Sequence, residues 1–183
     1  MNINRLSVRP IEHRDIDHIT DYWVTADADA LHRMGADISK IPTREYWIEM
    51  LTEQLATPIE QKKSYCIIWE LDGAQVGHCN VNNIKYGKEA YMHLHLWKPD
   101  TRQQGSGIAL VKKTLPYFFE NLHINKLYCE PYALNPAPNR TLERLGFQLV
   151  KEYITVPGYV SFEQEVKLCE LPYDKYKELY GQS

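Results

Sequence analysis

The sequence predicts an α/β (α+β) fold: one mixed, mostly antiparallel sheet with helices on both faces. Three observations predict it. Between residues 65 and 97, three strand-length apolar runs are joined by two turn signals. After Trp97 the hydrophobic period lengthens to that of an amphipathic helix. From there to residue 168 the order is helix, strand, helix and two strands. The chain has 183 residues, close to the ~150 expected of one domain. A single domain over residues 1–183 is the expectation.

Each element follows from local chemistry. Leu6, Val8, Pro10 and Ile11 read as an edge strand that stops at proline. Asp15 is placed to cap a helix carrying Ile16, Ile19, Tyr22 and Trp23 on one face. Thr43 precedes a second helix, with Glu45, Tyr46 and Trp47 followed by Ile48, Leu51 and Leu55. Residues 65–71 form an apolar strand, and Asp72-Gly73 signals a hairpin. Residues 75–84 return, 86–89 turn again, and 90–97 make a third strand ended by Lys98-Pro99-Asp100. A helix spans 105–122, with Pro116 expected to kink or loosen it. A strand at 126–130 precedes a short helix at 136–145, with Gly146 at its C-cap. Strands at 147–153 and 161–168 are joined at Pro157-Gly158, and 173–180 reads as a final helix.

Composition narrows the class. Hydrophobic residues are 44% and charged residues 25%, which excludes collagen-like, low-complexity and wholly disordered chains. Lys and Arg number 21 against 24 Asp and Glu, so a nucleic-acid partner is not expected. Cys66, Cys79, Cys129 and Cys169 form no CxxC pair and sit in apolar runs. They read as reduced, buried thiols of a cytoplasmic protein. No apolar run approaches the ~18 residues of a membrane span, and the N-terminus lacks a signal-peptide core, so no membrane partner is expected. The 13 tyrosines and 4 tryptophans point to a tyrosine-lined cleft.

The stretch from Trp97 to Ala109 carries the chemistry. A strand enters a loop with Gly105 and Gly107 and leaves in a helix. Glycines let a ligand approach the backbone, and the helix start offers N–H groups and a positive dipole end. That suits a phosphate or pyrophosphate, with Arg102 as a further partner. A Walker A loop fails because Ile108 follows Gly107 where lysine is required. A dinucleotide fingerprint fails because Leu110 stands in place of the third glycine.

Arg102-Gln103-Gln104-Gly105-Ser106-Gly107 resembles the R/Q-x-x-G-x-G/A signature of the GNAT acyltransferases. The segment from Asn135 to Phe147, ending Leu142-Glu143-Arg144-Leu145-Gly146-Phe147, is similar to that of the branch related to ribosomal-protein N-terminal acetyltransferases. The order of elements along the chain resembles that fold too. The resemblance implies a single GNAT-like domain and an acetyl-CoA-dependent N-acyltransferase. It would move an acetyl group directly to a primary amine, on a small molecule or a protein N-terminus. It implies that the amides of Gln103, Gln104, Gly105, Ser106, Gly107 and Ile108 hold the pyrophosphate, beside Arg102. The backbone of Leu96 and Trp97 would pair with the pantetheine arm where two parallel strands splay. Asn135 and its following helix, with Asn139, would line the other wall. The familiar acid positions hold Leu142 and Pro138, which leaves the acid open, with Tyr132, Tyr153 or water as sources.

Base candidates come from alternation. Tyr91, His93, His95 and Trp97 face one way, Met92, Leu94 and Leu96 the other. A histidine facing a cleft is suited to take a proton near neutral pH. The competing reading is a pair of hydrogen-bonded structural histidines. Glu130, at the end of the next strand, either orders a water or acceptor amine there or is a solvated strand end. His78, Asn80 and Asn82 share a facing, as an acceptor wall or as an open sheet surface. Trp23, Tyr46 and Trp47 read as helix packing residues first; the resemblance implies that their segment caps the acceptor site, where the alternative is substrate contact. No metal is expected, although Gly87, His93, His95, Asp100 and Gly107 come near a cupin motif. Two alternatives stand beside the transferase: a catalytically silent acyl-CoA binder, and a metal-dependent cupin-like enzyme. The sequence names neither the acceptor nor the choice between monomer and homodimer.

Overall fold

In the computed structural model, residues 5–97 and 106–181 are described. The first strand, β1 (Leu6–Pro10), leads into three helices: α1 (Ile16–Val24), α2 (Ala28–Arg33) and α3 (Arg44–Ala56). The meander follows as β2 (Tyr65–Leu71), β3 (Ala74–Lys85) and β4 (Glu89–Leu96). Then come α4 (Ser106–Asn121), β5 (Lys126–Cys129), α5 (Pro136–Arg144), β6 (Gln148–Thr155), β7 (Gln164–Pro172) and α6 (Tyr173–Tyr180).

The seven strands form one sheet in the order β1-β2-β3-β4-β5-β7-β6. Every neighbouring pair is antiparallel except β4 and β5, which run parallel. The β2–β3 turn has positive φ at both Asp72 and Gly73, the twist-matched geometry of a two-residue hairpin. Gly146 follows α5 at φ 81°, as its expected cap position requires.

Each face of the sheet carries its own core. On one, Leu110, Val111, Leu115, Phe118 and Phe119 of α4 pack on Ile67, Val81, Met92 and Leu127, with Leu142 and Tyr176 from the later helices. On the other, Ile16, Ile19, Trp23, Trp47 and Leu51 of the early helices pack on Cys66 and Ile68. Burying each such side chain contributes roughly 1.5–3 kcal/mol. A helical layer on both faces of a seven-stranded sheet excludes a cupin, which is all-β.

One local expectation needs correction. Asp15 does not cap α1 with its side chain. Its buried carboxylate instead accepts from Arg9, Gln75 and the Glu12 amide, because a desolvated charge demands paired donors. Pro116, expected to kink or loosen α4, lies inside a helix that runs from Ser106 to Asn121. The buried side chains on either side of it, Leu115 and Phe118, hold the helix to the sheet across the lost hydrogen bond. Thr43 caps α3 as expected, accepting from the Tyr46 amide.

Gly77 on β3 sits opposite Leu96 of β4. A Cβ there would collide with the backbone oxygen of His95. Gly77→Ala should therefore displace β4, at a cost of about 2–3 kcal/mol, and lower Tm by about 5–10 °C. A thermal melt checks this; a Tm within 2 °C of the parent would show that β4 yields freely.

Candidate active site

The site begins where β4 and β5 part. Their parallel register covers Glu89↔Lys126, Ala90↔Leu127 and Tyr91↔Tyr128. Beyond it, β5 ends at Cys129, while β4 continues to Leu96 paired with β3. The Trp97 amide donates to Val76 O at 2.9 Å. Backbone groups alternate sides along a strand, so Leu96 points its own N–H and C=O at the open edge. Of the two backbones expected to pair with the pantetheine arm, Leu96 faces the gap, and the Trp97 amide is bonded to β3.

On the early-helix face of this strand lies a cavity of about 610 Å³. Its floor is His78, Asn80 and Asn82 of β3 with His93 and His95 of β4. The register places His78 opposite His95 and Asn80 opposite His93. Its walls include Trp23 of α1, Tyr46, Trp47 and Met50 of α3, Met34, and Gly158 to Ser161 from the β6–β7 link. Two distant segments close it together. The Asp37 amide donates to Val160 O at 2.8 Å, Lys40 Nζ to Ser161 O at 2.8 Å, and Gln164 Nε2 to Gly35 O at 2.7 Å.

Burial sets the protonation of the floor. Desolvation lowers the pKa of His78 to about 3, with a contribution from nearby His93. It lowers that of His93 to about 4 and holds His95 well below its ordinary value. All three imidazoles are neutral at pH 7. The Trp97 indole N–H donates to His78 Nδ1 at 2.8 Å, which leaves the His78 proton on Nε2. His95 Nδ1 lies 3.3 Å from the Tyr22 hydroxyl, which also reaches Met34 Sδ at 3.0 Å. His93 Nε2 is buried without a hydrogen-bond partner, as are Asn82 Oδ1 and Trp47 Nε1. Cys66, the cysteine in the cavity wall, is pushed far up by burial and stays a thiol.

α4 carries Ser106 and Gly107 in its first turn, with no acidic side chain there. Among the described residues, a Cβ on Gly107 would meet no atom within 4 Å.

Over residues 5–148 the chain matches the family model of the acetyltransferase (GNAT) domain. The chain belongs to the GNAT acetyltransferases. A GNAT enzyme takes its acetyl group from acetyl-CoA and transfers it to a primary amine. Solved GNAT structures share the fold. The spermidine N-acetyltransferase of Vibrio cholerae, in complex with CoA and spermine, superposes with a TM-score of 0.76 at 16% identity, over 94% of this chain and 98% of that one. RimL, a ribosomal L7/L12 alpha-N-protein acetyltransferase in complex with coenzyme A, gives 0.74 at 15% identity, over 93% and 96%. A dodecameric structure of the Vibrio enzyme gives 0.72 at 16%, over 98% and 99%. No curated protein sequence matches the chain. Among the described residues, no helix is long and apolar enough to cross a membrane.

The expected GNAT site residues fall into three groups. His93 and His95 share the cavity floor with His78, Asn80 and Asn82. Glu130 is not among the residues lining that cavity. It accepts from the Tyr153 hydroxyl, whose pKa is raised by burial and by that carboxylate, so both groups are already engaged. Asn135 starts α5 without a side-chain cap bond. Asn139 uses its amide on Asn135 O at 2.6 Å and Tyr132 O at 3.0 Å, so its nitrogen braces the β5–α5 link. Arg102, Gln103, Gln104 and Gly105 lie outside the described residues. Sequence reasoning missed Tyr22 as a histidine partner and read Trp23, Tyr46 and Trp47 first as packing residues, with substrate contact as the lesser alternative. Helical periodicity marks a buried face but not the void that face borders.

Proposed function

We propose that the chain acetylates a primary amine held in the 610 Å³ cavity, with the acetyl thioester delivered through the gap between β4 and β5. One observation carries this: His93 and His95, on the strand that forms the gap, floor the cavity as neutral imidazoles beside His78 of β3. The first turn of α4, at Ser106, Gly107 and Ile108, holds the donor's pyrophosphate, and Leu96 offers its backbone to the pantetheine arm. Acetyl-CoA supplies the activated acyl group when bound. As the amine nitrogen bonds the acetyl carbon and the C–S bond breaks, His93 Nε2 takes the proton from the amine, and the CoA sulfur leaves as a thiolate protonated by water. Tyr22 orients His95 and Trp97 fixes the His78 tautomer beside it. Trp23 and Trp47, stacked with ring centroids 5.6 Å apart, keep water from the reacting amine. Transfer is direct, because the wall cysteine carries no thiolate at neutral pH.

Calorimetric titration with acetyl-CoA tests the donor half. Micromolar binding is expected, with loss of about 100-fold or more in Gly107→Glu, which places a carboxylate in the space proposed for phosphate. Glutamate in the first turn favours the helix itself, so that variant keeps its fold. A folded parent that ignores millimolar acetyl-CoA would overturn the proposal.

A further inference from the structure

Three of the buried polar atoms without a partner belong to residues lining one cavity: Trp47 Nε1, Asn82 Oδ1 and His93 Nε2. Buried polar groups are almost always satisfied, so such a set marks what a ligand brings. Trp47 Nε1 is a donor and needs an acceptor atom. Asn82 Oδ1 is an acceptor and needs a donor. His93 Nε2, on the proposed reading, meets the amine. A ligand that satisfies all three therefore carries both an N–H group and an oxygen.

The walls fix the rest of its shape. Trp23 and Trp47 stack at 9°, and Tyr159 lies 6.1 Å from Trp47. Tyr46 and Tyr159 stay 51% and 56% exposed at the cavity's margin. A flat ring entering between them gains stacking contacts on several sides. The charged residues in the lining are Glu53 and Lys63, whose opposite signs cancel. A polycation finds no row of carboxylates there, and a ligand carboxylate buried against one neutral indole N–H would be poorly compensated.

We propose that the acceptor is an aromatic α-amino carbonyl compound: a primary amine beside a neutral amide, with a flat apolar side chain. This rests on the transferase reading above. Such a group is presented by a free aromatic amino-acid amide or by a protein N-terminus beginning with an aromatic residue.

The test compares kcat/KM for phenylalaninamide, 2-phenylethylamine, spermidine and a Phe-Ala-Ala tripeptide amide, in the parent and in Trp47→Phe. The parent should favour phenylalaninamide about 10-fold over phenylethylamine and about 100-fold over spermidine. Trp47→Phe keeps an aromatic ring and loses the N–H, so the first ratio should fall to near one, phenylalaninamide losing more turnover than phenylethylamine. A tripeptide better than the free amide assigns the protein source; a worse one assigns the small molecule. Spermidine preference, or a ratio unmoved in Trp47→Phe, overturns the proposal while leaving acetyl transfer intact. Calorimetry with the same amines in the presence of CoA separates the two readings. Selective binding of the amide without turnover of any amine would overturn transfer and retain the pocket.

Discussion

His93→Gln should lower kcat by about 10²- to 10³-fold, within the range general-base catalysis contributes. Glutamine keeps a polar side chain at this position and cannot take up a proton. The parent imidazole can, because burial has already stripped its charge: its pKa is lowered to about 4. Its Nε2 has no competing partner, whereas His95 is engaged by Tyr22 and His78 by Trp97. The same lowering shapes the pH profile. Between pH 5 and 9 the base stays neutral, so kcat/KM should rise as the acceptor amine loses its proton, with no separate limb near 6.5. Steady-state rates for the two proteins across that range check both statements. A loss below 5-fold in His93→Gln, with a larger one in His95→Gln, would transfer the role to His95.

Stability should fall steeply in mild acid. The three floor histidines have folded-state pKa values depressed below the unfolded value of about 6.5. Below that pH the unfolded chain binds protons that the folded chain refuses. Their contribution to stability is therefore complete above about 6.5 and is lost as pH falls toward the folded values. Each group contributes a slope of up to ~1.4 kcal/mol per pH unit, so three together approach ~4 kcal/mol per unit. Against a typical total of 5–15 kcal/mol, such a slope brings unfolding near pH 5. Chemical denaturation at steps between pH 8 and 5 reads the slope, and His78→Asn should reduce it by about one third. An unchanged slope in that variant would show that the folded protein already protonates this site.

Much of this was legible because short-range chemistry governs it. The meander follows from alternation and from Asp72-Gly73, and the histidine facing from strand parity alone. That Trp97 shares that parity was visible; that its indole would cross to His78 was not, since parity gives a side and not a rotamer. Glu130 illustrates another limit. Its place at a strand end suggested an open carboxylate, but Tyr153, on a strand 23 residues later, takes it. Asp15 fails for a related reason: a capping pattern does not reveal that Arg9 and Gln75 converge on the same carboxylate. Helix α2, six residues long, is too brief for its period to register. The aromatic wall was seen first as packing because Trp47 does pack, on Trp23, while its other edge borders the void.

The closure over the cavity has a consequence for redesign. The α2–α3 connection and the β6–β7 link are far apart in sequence, yet Ala36 pairs with Ser161 as a β-bridge and Asp37 bonds Val160. His32 also stacks on Phe162 at 5.0 Å. Neither segment is a self-contained loop. A specificity graft from a relative must import both pieces as one inheritance, because a borrowed half arrives without the backbone edge it was shaped against. In this chain residues 32–40 and 158–164 hold one another's backbone, so reshaping either one is expected to disturb the other.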